Sequence, residues 1–241
     1  MRISRIYITD KLLVDQQIGL NEKTSHYLTR VLRLQQDNTL VLFNGDGHDY
    51  HAEIIETGKK QVRVNILSQS EKKSLPSLPI QLGLSLSKGD RFDIAIQKAT
   101  ELGVSHITPL LSEFSTLKLS ADRLDKKMLH WQGIIQSACE QSGRAFIPWL
   151  DQPVALQSWL TSNLDGLKLT LHPQASKTLR GFENPDRLVF LVGPEGGLSE
   201  NEIDLANEQG FQTIKLGNYI LRTETAPLAA ISAAQVLWGD F

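Results

Sequence analysis

Over the first 67 residues, apolar and polar positions alternate in short runs. Residues 3–8 read I-S-R-I-Y-I, residues 39–43 read TLVLF, and residues 61–67 read QVRVNIL with Val62, Val64 and Ile66 on one face. Residues 50–55 form a fourth run. A strand places successive side chains on opposite faces, so each run predicts a short, half-buried strand. Asn44-Gly45-Asp46-Gly47 predicts the turn after the second run, and Gly58-Lys59-Lys60 predicts a hairpin loop. One short helix interrupts at about 22–31, with His26, Leu28 and Val31 near its apolar side. Several short strands joined by glycine turns predict a small barrel.

A polar stretch follows, SQSEKKSLPSLP over residues 68–79, with prolines at 76 and 79. Proline fixes φ and removes a backbone donor, so this stretch should end the first domain. The expected division is 1–70, a linker at 71–79, and 80–241.

From Ile80 the period changes. Strands are expected at 81–86, 105–110, 167–171, 187–192 and 213–216. Between them lie helical patterns. Phe92, Ala95, Ile96, Ala99 and Leu102 fall at helical spacing behind Asp90, a candidate cap, and Gly103 suits the C-terminal turn. Leu124, Met128, Trp131, Ile135 and Ala138 form one stripe over 122–141. Trp131 and Met128 on it read as core or dimer-face residues. Ser199 and Glu202 form an S-x-x-E capping box opening a helix that ends at Gly210. Residues 225–238 read as an Ala-rich helix, with Thr223 or Thr225 as cap and Pro227 in the first turn. Strand–helix alternation of this kind predicts an α/β domain with a mainly parallel sheet.

Bulk properties narrow the class. Of 241 residues, 41% are apolar and 22% charged, an ordinary globular balance. No run of about 20 apolar residues occurs, which argues against a membrane span. The N-terminal MRISRIYITD lacks an apolar secretory region, and the single Cys139 excludes an internal disulfide and any Cys-rich zinc site. A cytoplasmic protein without a metal is expected. Net charge is −2, with nine Lys and Arg against eight Asp and Glu in residues 1–70 and 16 against 19 beyond. Any nucleic-acid contact must therefore use a local basic patch.

Two segments carry candidate chemistry. Leu191-Val192-Gly193-Pro194-Glu195-Gly196-Gly197-Leu198-Ser199 follows an apolar strand and precedes a capped helix. Open α/β sheets bind ligands at such strand ends, though a plain strand-to-helix turn fits equally well. No Gly-Lys-Ser/Thr follows and no G-x-G-x-x-G occurs, so neither a Walker loop nor a dinucleotide fingerprint is present. Glu195 would repel phosphates, whereas a sulfonium or amine ligand tolerates it. The second segment is Leu216-Gly217-Asn218-Tyr219-Ile220-Leu221-Arg222-Thr223-Glu224-Thr225-Ala226-Pro227. On its own, Arg222 with Glu224 also reads as a surface ion pair.

Taken together, GPEGG and LG-x-x-ILRTETA resemble the signature of the SPOUT (trefoil-knotted) RNA methyltransferases. More narrowly, the chain is similar to the RsmE family of ribosomal small-subunit RNA uridine-N3 methyltransferases. His26-Tyr27-Leu28-Thr29-Arg30-Val31-Leu32-Arg33, Gln97-Lys98-Ala99-Thr100-Glu101-Leu102-Gly103-Val104 and Glu140-Gln141-Ser142-x-Arg144 match the same family. The resemblance runs to Trp238. Asn218-Tyr219 departs from it, standing where the family often has a basic residue.

The resemblance implies an N-terminal PUA-like β-barrel, a C-terminal knotted α/β (SPOUT) domain and a homodimer with its site at the subunit interface. It implies an S-adenosyl-L-methionine cofactor and a uridine of 16S ribosomal RNA, free or in the small ribosomal subunit, as substrate. Expected cofactor-binding residues are Leu171, His172, Pro173, Val192, Gly193, Pro194, Glu195, Gly196, Gly197, Leu216, Gly217, Ile220, Leu221, Arg222, Thr225 and Ala226. Arg222 and Glu224 are the catalytic candidates, Glu224 polarising the N3 proton or only orienting Arg222. His172 is either a base or a turn histidine. Arg2, Arg5, Arg30, Arg33, Lys98 and Arg144, with Arg91, are expected to grip RNA. The rival readings are a knotted methyltransferase acting on transfer RNA or a ribose 2′-hydroxyl, and a non-catalytic RNA-binding module for ribosome assembly.

Overall fold

The computed structural model describes residues 3–58, 61–115 and 121–241; Arg2 and the Lys59-Lys60 part of the expected hairpin loop lie outside them. By internal contacts the chain forms two compact units. The first holds Met1–Leu75 and Cys139–Ile147, the second Pro76–Ala138 and Pro148–Phe241.

In the first unit, β1 (Arg5–Tyr7), β2 (Gln17–Gly19), β3 (Thr39–Phe43), β4 (Tyr50–Thr57) and β5 (Val62–Gln69) form one sheet in the order β1-β3-β4-β5-β2. β1 runs parallel to β3, and the other pairs are antiparallel. The period-two pattern does its expected work. Val62, Val64 and Ile66 are fully buried and pack with Leu40, Leu42, Ala52 and Ile54. Each of the Val, Leu and Ile side chains contributes about 1.5–3 kcal/mol by leaving water.

The helix after β2 begins as α1 (Glu22–His26), capped by Asn21, whose side chain accepts from the Thr24 N–H. It then widens into a π-helical turn at Tyr27–Val31. The expected helix at 22–31 is thus present but not α-helical throughout. Leu28 faces the core, whereas Tyr27, Arg30, Val31 and Arg33 are exposed. Arg33 sits at φ 56°.

Residues Cys139–Ile147 join this unit through polar bonds that periodicity does not announce. Arg5 Nη1 donates to the Cys139 carbonyl at 2.7 Å and the Tyr7 N–H donates to Glu140 at 3.0 Å. Lys73 donates to both Asp49 and the Gly143 carbonyl.

The second unit is built on one sheet of parallel strands: β6 (Ile80–Ser85), β7 (His106–Leu111), β8 (Trp149–Leu150), β9 (Val154–Ala155), β10 (Leu167–Leu171), β11 (Leu188–Val192) and β12 (Gln212–Ile214). The order is β12-β10-β11-β6-β7-β8, with β9 also on β7. All pairs in it are parallel. The helices are α2 (Arg91–Glu101), α3 (Ala121–Ser142), α4 (Leu156–Leu160), α5 (Glu200–Glu208) and α6 (Thr225–Trp238). Every residue of β11 is buried, as expected of a central strand covered on both faces.

Two caps differ from expectation. Asp90 precedes α2 without a side-chain cap bond, and Glu224, not Thr223 or Thr225, occupies the cap position of α6, also without one. Thr223 is buried. The Ser199–Glu202 capping box forms as expected.

Candidate active site

Parallel strands expose their carbonyl ends, and the turns that follow them, at one edge of the sheet. Here β10 lies between β12 and β11, so three turns remote in sequence meet at that edge. They enclose a cleft of about 680 Å³. One wall is Leu171-His172-Pro173-Gln174 after β10, and a second is Val192–Leu198 after β11. The third is Ile214–Gly217 with Tyr219–Glu224 and Ala226, between β12 and α6. Arg91, at the start of α2, completes it.

Local bonds hold the walls. The His172 N–H donates to the Ile214 carbonyl at 2.8 Å, tying the β10 turn to β12. The Gly197 N–H donates to the Pro194 carbonyl at 2.9 Å, closing a β-turn with glycine at its last position, φ 75°. The Thr225 and Ala226 N–H groups both donate to the Arg222 carbonyl, winding the third wall into α6.

Charge in the cleft is partly internal. Glu195 Oε1 accepts the Lys88 N–H at 2.9 Å and Arg91 Nη1 at 2.6 Å. Burial alone would raise the Glu195 carboxyl. Its own N–H, the Lys88 N–H and the Arg91 guanidinium outweigh burial and hold it below its ordinary range. The carboxylate of the glycine loop thus clamps that loop to the β6–α2 turn. Glu224 Oε2 is buried without a hydrogen bond, 3.8 Å from Arg91 Nε. Arg222 is exposed and has no ion-pair partner among the described residues. Glu224 therefore faces Arg91, and among the described residues no ion pair joins it to Arg222.

Of the expected cofactor-binding residues, all but Thr225 line the cleft. Sequence reasoning missed Gln174, Leu198, Ile214, Lys215, Tyr219 and Thr223, which line it too. It placed Arg91 only among RNA contacts. β6 lies next to β11, bringing the turn after β6 to the cleft, and that strand order has no signal in periodicity. Among the described residues, no group of three His, Cys, Asp or Glu side chains is arranged to hold a metal, and no helix is long and apolar enough to cross a membrane.

Residues 73–235 match the family description "RNA methyltransferase domain", and residues 20–67 match "RNA methyltransferase PUA domain". The ribosomal RNA small subunit methyltransferase E of Buchnera aphidicola (Schizaphis graminum) is 37% identical over 99% of this chain and 98% of its own. The chain belongs to this family of RNA methyltransferases. Its α/β unit is accordingly a SPOUT-type methyltransferase domain, and a PUA domain precedes it. A Legionella pneumophila methyltransferase, solved in complex with the cofactor SAM, is 41% identical with a TM-score of 0.97 over the full length of both chains. The Neisseria gonorrhoeae ribosomal RNA small subunit methyltransferase E, bound to S-adenosyl methionine, is 38% identical with a TM-score of 0.93, also over both full lengths.

In this methyltransferase the basic residues expected to grip RNA divide into three groups. Arg30 and Arg33 are exposed, with no ion-pair partner among the described residues. Lys98 is paired with Glu101 at 2.7 Å, and Arg144 is half-buried in the first unit. Arg5 corrects an expectation: its side chain is 10% exposed, its Nη2 meets Asp49 Oδ1 at 2.6 Å, and its guanidinium lies 3.6 Å from the centre of the Phe43 ring. It is committed to the fold, with little of its side chain left to meet RNA.

Proposed function

We propose that this protein uses S-adenosyl-L-methionine to methylate N3 of one uridine in 16S ribosomal RNA, in the cytoplasm and as a homodimer. The supporting observation is the three-walled cleft, set in a fold that matches SAM-bound relatives along its whole length.

The cleft suits that cofactor in size and chemistry. Its volume lies within the roughly 300–1,000 Å³ usual for small-ligand sites. Gly193, Gly196, Gly197 and Gly217 let backbone donors and acceptors approach an adenosyl group closely. Glu195 is already satisfied by Lys88 and Arg91, so it imposes no unpaired charge. The turns at 171–173, 192–197, 216–217 and 220–222, with Ala226, would hold the adenine and ribose. Bound S-adenosylmethionine supplies an electrophilic methyl carried on a sulfonium.

The chain's own task is to fix the base and manage its proton. Uracil N3 carries a proton and is a poor nucleophile until it leaves. Glu224 Oε2, buried and without a donor, accepts that proton. Arg222, exposed on the same turn, stabilises the charge that spreads onto O2 and O4. Positioning supplies most of the remaining barrier reduction, up to roughly 7–11 kcal/mol in ideal cases. His172 serves as a turn residue through its backbone.

Arg30 and Arg33, three residues apart, contact RNA phosphates from the first unit, with Tyr27 exposed on the same segment. Large apolar side chains left exposed on α6 and the cleft turn, Val236 at 66% and Tyr219 at 88%, support a self-association face. The deciding experiment is mass mapping of ribosomal RNA from cells lacking the gene. One missing methyl on one uridine is the expected result. A missing methyl on transfer RNA or on a ribose would refute it.

A further inference from the structure

The turn after β6 brings to the cleft a residue that the reaction as described leaves without a role. Arg91 is the first residue of α2 and lines the cleft between two carboxylates. It holds Glu195 tightly, Nη1 to Oε1 at 2.6 Å, and Glu224 loosely, Nε to Oε2 at 3.8 Å. The loose contact supplies opposite charge but no hydrogen bond. Glu224 Oε2 therefore stays buried, compensated in charge and open to a donor. A buried acceptor without a donor is costly unless a ligand completes it.

We propose that Arg91 is a positioning residue for the methyl transfer, bridging Glu195 and Glu224 so that the open Glu224 Oε2 is aimed at the imide N–H of the target base. The inference rests on the uridine reading of the cleft. An imide edge offers one N–H between two carbonyls, and that N–H is the donor Oε2 lacks. Cytosine presents a bare ring-nitrogen lone pair at the same position, which a carboxylate repels, so the arrangement also selects the base. When the N–H proton passes to Oε2, its bonding pair stays on the ring nitrogen. The Glu195 side of the bridge matters because it anchors Arg91 to the glycine loop through the same carboxylate that accepts the Lys88 N–H.

The test is single-turnover methyl transfer, at saturating S-adenosylmethionine, to small-subunit RNA from cells lacking the gene. Wild type is compared with Arg91→Gln, Arg91→Lys, Glu224→Gln and the double variant Arg91→Gln/Glu224→Gln. Arg91→Gln should lower the rate by about 10²-fold, the scale of a small misplacement at a reacting centre. Its cofactor affinity by calorimetry and its melting temperature should fall far less than the rate, because Glu195 keeps the Lys88 N–H. Arg91→Lys should recover about tenfold of the loss, because an ammonium serves one carboxylate at a time. The double variant should be no slower than Glu224→Gln, since both changes act through one oxygen.

An Arg91→Gln rate within about threefold of wild type overturns the proposal. So do losses that multiply in the double variant, or a rate loss that merely tracks lost cofactor affinity or melting temperature, as a loop clamp alone would give. If the glutamine variant does not fold, Arg91→Lys decides by the same comparison. Wild-type protein that methylates no such RNA overturns the uridine reading, and the inference with it, before any variant is measured.

Discussion

Gly193 and Gly197 lie four residues apart in the same cleft wall, yet alanine should fail at them for different reasons. At Gly193 a Cβ would stand 3.0 Å from the Gly197 carbonyl carbon and 3.1 Å from both Leu198 N and Leu198 Cγ. Carbon contacts are comfortable at about 3.5–4.0 Å, so the neighbour must move by a few tenths of an ångström. Two of the three atoms are backbone, and the turn they belong to is fastened by the Gly197–Pro194 bond and by Glu195 to Lys88 and Arg91. Overpacking of this kind costs about 1 kcal/mol at its mild end. The displaced atoms are also the wall of the cleft, so cofactor affinity should fall about tenfold, equivalent to about 1.4 kcal/mol.

At Gly197 the added Cβ meets nothing within 4 Å, but φ is 75°. A left-handed alanine costs about 1 kcal/mol without pushing on any neighbour. Each variant should therefore melt about 2–4 °C lower, by the scaling for a chain of this length. Only Gly193→Ala should bind S-adenosylmethionine more weakly. Thermal melting and calorimetry on the two variants are sufficient. Equal loss of affinity in both, or normal affinity in Gly193→Ala, would refute the assignment of this loop as a close-packed cofactor wall.

Three further outcomes follow from the same structure. In β6, a Cβ on Gly83 would overlap the ring of buried Trp159, so Gly83→Ala should cost about 3 kcal/mol; urea denaturation showing wild-type stability would contradict it. Burial would raise the Asp49 carboxyl, but Arg5 and Lys73 hold it below 3.8, so its stabilisation is complete above that pH and lost as pH falls beneath it. Acid titration should release the first unit in that window, and Asp49→Asn, which strands the buried Arg5, should cost about 3 kcal/mol at neutral pH and flatten the transition. Replacing Arg30 and Arg33 together with alanine should weaken RNA binding and reduce the slope of log affinity against log salt by about 1.4 for single-stranded RNA; an unchanged slope would place the phosphate contacts elsewhere.

Periodicity made most of the fold legible because most elements bury one face. The strand carrying Val62, Val64 and Ile66 buries one face and the run LVFLV at Leu188–Val192 buries both, so each reads plainly from its pattern. What periodicity missed is short: β2, β8, β9 and α4 span two to five residues, too few for a period to emerge. The π-helical turn within the expected helix at 22–31 has no signal of its own in the apolar pattern, and within it only Leu28 is buried. Most of the cleft's lining was legible through its glycines and the family signature. The Arg91 bridge was not, because it depends on β6 lying beside β11, a fact of strand order rather than of local pattern.

Arginines mark the boundary of what a sequence can say about charge. Arg5 and Arg30 both lie in the first 70 residues among apolar neighbours, and both fit a phosphate-gripping surface on composition alone. Arg5 is spent on Asp49, the Cys139 carbonyl and the Phe43 ring, while Arg30 has no ion-pair partner among the described residues. In the cleft the same contrast separates Arg91, held by Glu195, from Arg222, which is exposed. A cation already satisfied inside the fold cannot repay the desolvation of a phosphate or an enolate without giving up its first partner. For a chain of net charge −2, affinity for RNA therefore depends on where the unspent cations cluster.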